Sequence, residues 1–261
     1  MDNNRIKLLS VFGSIVMMIL VLFFMGNSSL FGEENLVWIF LILGLGIMVV
    51  SLAYNAWAGK KRKEALQQTA SEMGYSFAPE DKDFNTQLGS SAPSEILSKG
   101  RSRKAYNILR GQRRDAQTSV FDYKYTTGSG RSSQTHRLTL VMLTLEQAEL
   151  VPFTLRGRGF FDKVAAKFGQ KEISFESAPD FAKKYLVKGD DEEAVRRLFS
   201  PTVISLFEQQ NNLSCESTEN RLLIYRPEKT IKPEDLRTFL DNATQLLELL
   251  RRPTYNFDYA R

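Results

Sequence analysis

The chain has 261 residues, a formal net charge of +5, one cysteine and one histidine. A single cysteine excludes an internal disulfide framework and suits a reducing compartment. The mean hydropathy of −0.27 averages two different parts, because residues 1–59 carry few charges and residues 60–261 carry most of them. The second part has the composition of a soluble globular domain and is long enough to bury one core.

Two uncharged runs occupy most of residues 1–59. The first, Leu8–Met25, has 18 residues, which at the helical rise span roughly 27 Å, close to the thickness of the bilayer core. The second, Leu36–Gly59, is longer and leaves room for tilt. Backbone groups in lipid must be satisfied within a helix, so both runs should be helical. The sequence therefore predicts a transmembrane hairpin at residues 1–59, with spans at about 8–25 and 36–57.

The orientation of this hairpin follows from the basic residues beside it. Arg5 and Lys7 precede the first run, Lys60, Lys61, Arg62 and Lys63 follow the second, and the connecting segment has no basic residue. The positive-inside rule then predicts a two-span protein of the inner (cytoplasmic) membrane with both termini in the cytoplasm. The alternative is a cleaved signal peptide, but the first run exceeds the usual apolar core of about 7–15 residues and no A-x-A site follows it. Neither run contains an acidic, basic or histidine side chain, which favours an anchor over a transporter.

Past the membrane, residues 60–74 form a predicted juxtamembrane basic helix that ends at Gly74. Residues 79–94 are rich in turn-forming residues and predict a loop. Strands are predicted in series at Tyr106–Leu109, Thr118–Tyr125, Arg137–Leu145 and Phe153–Arg156. In the second, Phe121, Tyr123 and Tyr125 alternate with polar residues, as in a half-buried strand. The third is apolar at nearly every position, as in a central strand covered on both faces.

After residue 159 helices and short strands are predicted to alternate. Helices are expected at 160–168, from Pro179, from Asp190 as N-cap and from Pro201; strands at 173–175, 185–187, 213–217 and 221–225; and a long amphipathic helix from Pro233 to Pro253. This order predicts a cytoplasmic α+β domain at 75–252 with a mainly antiparallel sheet, several short helices and a long C-terminal helix, followed by a tail at 253–261. A pleckstrin-homology-like barrel with inserted helices is the alternative.

Three stretches carry a resemblance to known proteins. They are FDYKYTTGSGRSSQTH at 121–136, FESAPDFAKKYLVKGDDEEAVRRLF at 175–199 and LLIYRP at 222–227. With the closing helix, they resemble a group of bacterial membrane-anchored proteins in which no catalytic or binding residue is assigned. The resemblance covers most of residues 60–252 and implies a bacterial inner-membrane location.

No motif for a metal, a cofactor or a catalytic site is present in the sequence. One cysteine and one histidine, 79 positions apart, cannot form a zinc cluster. His136 is the only base available to a nucleophile, and it is interpreted as a loop-edge residue; Cys215 is interpreted as a small buried residue. Gly128–Arg131 lacks the pattern of a phosphate-binding loop and indicates a hairpin tip. The carboxylates at 190–193 fit a helix start without a metal.

Basic residues cluster within 16 positions and are the one feature that suggests a partner. Besides Lys99, the cluster consists of Arg101, Arg103, Lys104, Arg110, Arg113 and Arg114. Together with Lys60–Lys63, these residues could contact anionic headgroups at roughly 1 kcal/mol per residue. The other interpretation is an ordinary solvated face. No nucleic-acid module accompanies the charge, so nucleic acid is not favoured as a partner.

These patterns together predict a membrane-anchored cytoplasmic binding or scaffolding module, with a protein partner or anionic lipid headgroups as its contacts. The alternative hypothesis is a membrane-bound enzyme with a carboxylate-based site. A cleft with a perturbed acidic residue would favour the enzyme, and an apolar patch or open sheet edge would favour the binding module.

Overall fold

A computed structural model describes residues 33–90, 94–147, 150–158, 172–210 and 212–251. The chain divides into two compact units, Met1–Leu66 and Gln67–Arg261. Helix α1 runs from Glu33 to Glu72 and contains the second predicted span and the juxtamembrane segment. It ends where Gly74 takes a φ of +70°, as the sequence predicts, since only glycine adopts this conformation without strain.

The described part of the chain contains no helix that combines the length and the apolar character required for a membrane span. The first predicted span, 8–25, lies outside the described residues, as do the predicted helix at 160–168 and the tail from 253 onwards. The two-span anchor therefore stays a prediction.

Within the described residues nine strands form one antiparallel sheet. They are β1 (Ser76–Ala78), β2 (Arg101–Arg113), β3 (Ala116–Thr127), β4 (Gln134–Thr144), β5 (Phe153–Gly157), β6 (Glu172–Ile173), β7 (Tyr185–Lys188), β8 (Ser214–Ser217) and β9 (Arg221–Tyr225). Their spatial order is β1-β2-β3-β4-β9-β8-β5-β7-β6. Because β1 and β6 lie at opposite edges of this order, the described sheet is open, and the barrel alternative was wrong.

Six further helices belong to the described part of the chain. They are α2 (Lys82–Ser90), α3 (Glu95–Ser98), α4 (Pro179–Lys184), α5 (Glu192–Leu198), α6 (Pro201–Gln209) and α7 (Leu236–Leu250), with 3-10 turns at Gly130–Ser132 and Pro233–Asp235. The prediction of an α+β domain with an antiparallel sheet and a long C-terminal helix is confirmed. The apolar stripe of α7 is buried along its length, as its periodicity predicts.

One face of the central strands is covered by α2 and α3. Phe121, Tyr123 and Tyr125 alternate along β3 on this face and pack with Phe84 of α2 and Leu97 of α3. The opposite face carries Ile224 of β9, which lines a cleft together with residues of α7. The strands β4 and β9 are therefore covered on both faces, which confirms β4 as a central strand.

Three local predictions were wrong. The loop predicted at 79–94 contains α2, because Asp81 accepts a hydrogen bond of 2.9 Å from the backbone N–H of Phe84 and so supplies an N-cap. Asp191 rather than Asp190 caps α5, accepting from the N–H of Ala194 at 2.9 Å. Asp122 was expected on a polar face of β3, but it is 1% exposed and accepts hydrogen bonds from side chains of β2 and β4.

The long strand β2 is paired with β1 only at Ile108–Arg110. Nearer its start, the side chain of Asn85 takes the place of a neighbouring strand. Its Oδ1 accepts from the N–H of Ala105 at 2.7 Å, and its Nδ2 donates to the carbonyl of Ala105 at 3.0 Å. The carbonyl of Pro79 accepts from the N–H of Asn107 at 2.8 Å. This edge of β2 is thus satisfied by an amide side chain and a loop.

Candidate functional site

The basic cluster predicted from the sequence is spread along β2. Thirteen residues of a strand extend roughly 40 Å, so Arg101 and Arg113 lie at its opposite ends. Arg101, Arg103 and Lys104 belong to one end, and Arg110, Arg113 and Arg114 to the other. Residues that are adjacent in sequence therefore form two separate groups.

Four of these six residues form ion pairs. They are Lys104 with Glu80 at 2.7 Å, Arg110 with Asp81 at 2.7 Å, Arg114 with Glu248 at 3.3 Å, and Arg113 with Asp241. These carboxylates offset much of the positive charge at the Arg110–Arg114 end. At the other end, Arg103 donates to the carbonyl of Leu97 at 3.2 Å and Arg101 donates to the carbonyl of Gly128. A carbonyl orients a guanidinium without cancelling its charge.

The other predicted basic residues lie on α1. Lys60 pairs with Glu64 at 3.9 Å, and both side chains are largely exposed. The Nζ atom of Lys61 lies 5.2 Å from the centroid of the Trp57 ring. Arg62 and Lys63 continue the same helix. Exposed lysines of this kind keep their charge available to solvent or to a headgroup.

A buried carboxylate lies under α3. Glu216 of β8 accepts hydrogen bonds from the hydroxyl of Ser94 at 2.6 Å, from the N–H of Ile96 at 3.0 Å and from the hydroxyl of Tyr225 at 2.8 Å. Burial raises the pKa of Glu216, and the hydrogen bonds that it accepts act in the opposite direction. Burial of the phenol raises the pKa of Tyr225, and the neighbouring carboxylate of Glu216 raises it further. This arrangement fixes α3 onto the sheet.

His136 lies in a hydrogen-bonded series with two side chains. Its Nε2 is 2.7 Å from the hydroxyl of Thr127, and its Nδ1 is bonded to the carboxylate of Glu228. The imidazole also stacks on Tyr125, with ring centroids 4.8 Å apart. The Nζ atom of Lys99 lies 5.5 Å from the centroid of the same Tyr125 ring, and burial lowers the pKa of this lysine to about 8. The order hydroxyl, imidazole, carboxylate is that of a nucleophile, its base and an orienting group.

The sequence interpretation of Cys215 as a buried residue is confirmed. Its side chain is fully buried, and burial raises the pKa of the thiol well above its usual value. The thiol therefore stays protonated and unreactive near neutral pH. In the ranges that the structure describes, no group of three or more histidine, cysteine or acidic side chains is positioned to hold a metal ion.

A cleft with a volume of about 610 Å³ lies between α6 and α7. Its floor consists of buried apolar side chains, namely Leu213, Ile224, Phe239, Ala243 and Leu246. Its rim carries hydroxyl and amide side chains, namely Thr202, Ser205, Gln209, Gln210, Asn242 and Gln245. Among the described residues that line the cleft none is charged, although charged residues make up 25% of the chain.

Sequence reasoning missed this cleft because its two walls come from different segments. Residues 201–210 together with Leu213 form one wall, and residues 239–249 form the other. A weak signal was present in the two adjacent glutamines, Gln209 and Gln210, at the end of α6, both of which line the cleft. The series around His136 was missed for the same reason, since Glu228 lies 92 positions further along the chain.

Comparison with known proteins identifies the fold. No protein-family model matches the chain, and no curated protein sequence matches it significantly. The structure is similar to the crystal structure of the mycobacterial trehalose monomycolate transport factor A, TtfA, with a TM-score of 0.54. The similarity covers 72% of this chain and 93% of that chain, at 14% sequence identity. At this level of identity the likeness is one of fold alone.

Proposed function

We propose that this protein is a membrane-anchored binding module that offers the cleft between α6 and α7 to a ligand at the cytoplasmic face of the membrane. The observation that carries the proposal is the cleft itself. Its volume of about 610 Å³ lies within the range of about 300–1,000 Å³ that is usual for ligand pockets, and it combines an apolar floor with a few polar groups. The two uncharged runs at 8–25 and 36–57 supply the anchor in this proposal.

The composition of the cleft favours binding over catalysis. The described residues that line it include hydroxyls and amides, but neither a histidine nor a carboxylate, so Ser205 and Thr202 have no base beside them. The structural neighbour TtfA is a trehalose monomycolate transport factor, and such a role is compatible with the ligand-binding function proposed here. Basic residues on α1 and at the Arg101 end of β2 would add contacts with anionic headgroups.

A pair of serine substitutions tests this function. The tagged full-length chain, its Ser205→Trp variant and its Ser71→Trp variant are purified from native membranes, and bound lipids and proteins are identified by mass spectrometry. Ser205 is an exposed rim residue, so its indole would fill the cleft, whereas Ser71 is an exposed serine of α1 that does not line the cleft. We expect a specific species to be lost only from Ser205→Trp. Identical bound material in all three would contradict a cleft-binding function.

A second function is supported by the Thr127–His136–Glu228 series. In this candidate the protein is an enzyme of acyl transfer. The Thr127 oxygen attacks an ester carbonyl while its proton passes to Nε2 of His136; the imidazolium returns that proton to the leaving alcohol, and water then hydrolyses the acyl-threonine. Glu228 would orient the imidazole through Nδ1 and stabilise its charged form.

Covalent labelling tests the second function. A fluorophosphonate reacts with an activated hydroxyl by forming an O–P bond and releasing fluoride. If Thr127 is activated, labelling should occur at Thr127 and disappear in the His136→Gln variant, while the cleft variant Ser205→Trp should be labelled like the native chain. Absence of labelling in the native chain would remove this candidate and leave the binding module.

A further inference from the structure

We infer that the ligand of the cleft is a neutral lipid whose head group carries hydroxyls. This inference rests on the proposed binding function and adds the chemical class of the ligand. The first observation behind it is the absence of charge from the described residues of the cleft, in a chain in which a quarter of all residues are charged. A cationic head group would find no carboxylate among these residues. An anionic one would find only Arg226, which does not line the cleft and whose guanidinium already donates to Gln210 and lies over the ring of Phe239, so either head group would lose hydration without a direct counterion, which is costly.

The rim supplies the kind of hydrogen bonding that hydroxyl groups need. Each amide side chain both donates and accepts, and so does each hydroxyl, so Gln209, Asn242 and Gln245 match a head group whose own hydroxyls do the same. The amide of Gln209 donates to Ser205 at 3.2 Å, and the amide oxygen of Gln210 accepts from Arg226 at 2.8 Å. These bonds orient two rim groups before any ligand binds, which lowers the ordering cost of binding.

The apolar floor of the cleft is the part that would contact the hydrocarbon chain of the lipid. Phe239, Ala243 and Leu246 lie one turn apart on α7 and present a continuous apolar strip, which faces Ile224 of the sheet. An apolar strip beneath a ring of amides matches a molecule with one apolar and one hydroxylated end. The volume of about 610 Å³ suits such a small molecule, whereas a stable protein interface covers about 800 Å² on each partner.

Photo-crosslinking of matched probes tests the inference. The full-length chain in lipid nanodiscs is exposed to octyl glucoside, octyl sulfate and octyltrimethylammonium, each with the same diazirine on the octyl chain, and crosslinked residues are mapped by mass spectrometry. We expect the glucoside to label residues of the cleft and the two charged probes not to do so. In the Gln245→Glu variant labelling by the glucoside should fall about tenfold, the effect of losing one good hydrogen bond.

Gln117→Glu is the matched control, because Gln117 is an exposed glutamine of β3 that does not line the cleft, and its labelling should equal that of the native chain. Unchanged thermal unfolding of both variants shows that they are folded.

Equal or stronger labelling of the cleft by a charged probe would overturn the neutral-lipid inference and leave the binding function standing. Loss of a protein from Ser205→Trp, without labelling by any probe, would overturn it in favour of a peptide ligand. Absence of labelling together with identical bound material in the serine variants would overturn both.

Discussion

The hydroxyl of Ser94 donates a hydrogen bond of 2.6 Å to the carboxylate of Glu216, a residue 122 positions further along the chain. The same hydroxyl accepts from the N–H of Leu97 at 3.2 Å and so caps α3. One serine therefore joins the start of a short helix to the interior of the sheet. A helix of four residues has little stability of its own, so its position depends on this buried contact.

The first prediction concerns that carboxylate. Glu216→Ala leaves three buried donors, on Ser94, Ile96 and Tyr225, without their acceptor, so the free energy of unfolding should fall by about 3 kcal/mol. Urea denaturation of a fragment of residues 60–252, expected to be soluble and cooperative, measures the change. Glu219→Ala alters an exposed glutamate of the β8–β9 turn and should stay within about 0.5 kcal/mol of the native fragment. Equal effects of the two substitutions would show that the buried bonds contribute little.

The second prediction is a pH dependence. Burial raises the pKa of Glu216 above its ordinary value of 4.5, so the folded state binds this proton more tightly than the unfolded state does. The resulting stability is present in full below pH 4.5 and is lost as the pH rises through the raised pKa. Glu216→Gln carries no such proton, and its unfolding free energy should decline less over the same interval. Parallel curves for the native fragment and the Glu216→Gln fragment would contradict the raised pKa.

The third prediction concerns lipid contact. A fragment that begins after Lys63, and so lacks the basic residues of α1 at 60–63, should bind anionic vesicles and not neutral ones. This binding should weaken with salt as the Debye length falls from about 10 Å at 0.1 M to about 3 Å at 1 M. Arg101→Gln with Arg103→Gln should cost about 2 kcal/mol at low salt. Arg113→Gln with Arg114→Gln should cost less, because carboxylates already offset those charges. Binding to neutral vesicles, or a larger effect of the second pair, would contradict this view of β2.

The fourth prediction is the topology. If both termini are cytoplasmic, a reporter that requires the periplasm should be active when fused after Ser29 and inactive when fused after Arg261, because the basic residues flank both predicted spans on one side. A reporter that requires the cytoplasm should give the reverse result. Activity of the periplasmic reporter at Arg261 would overturn the predicted orientation.

The parts of the fold that the sequence predicted are those with strong local signals. The stripe of α7 repeats along the whole helix, and the proline after Ser200 marks the start of α6, so neither depends on distant partners. The helix α2 was missed because its glycine, asparagine and threonine favour turns, whereas contacts with distant parts of the chain, such as that of Phe84 with Phe121, stabilise it as a helix.

The buried position of Asp122 and the walls of the cleft could not be predicted from the sequence, because both depend on contacts between residues that are far apart in the chain. Asp122 is tolerated in the interior because Asn107 and Thr139, on the two neighbouring strands, donate hydrogen bonds of 2.9 Å and 2.8 Å to it. Strand pairing decides which donors meet it. The basic cluster shows the converse, since residues close in sequence are separated by the extended strand that carries them.

The side-chain amide of Asn85 also affects whether copies of this domain can associate edge to edge when they are crowded together. A sheet edge with free N–H and C=O groups is a template on which a second copy can add its own strand. In this domain the Asn85 side chain occupies both groups of Ala105, and the outer strands at the two ends of the sheet are only three and two residues long. Among the described residues, the edges of the sheet therefore offer little exposed backbone on which a second copy could add a strand, and one carboxamide side chain protects the edge of β2, the longest described strand.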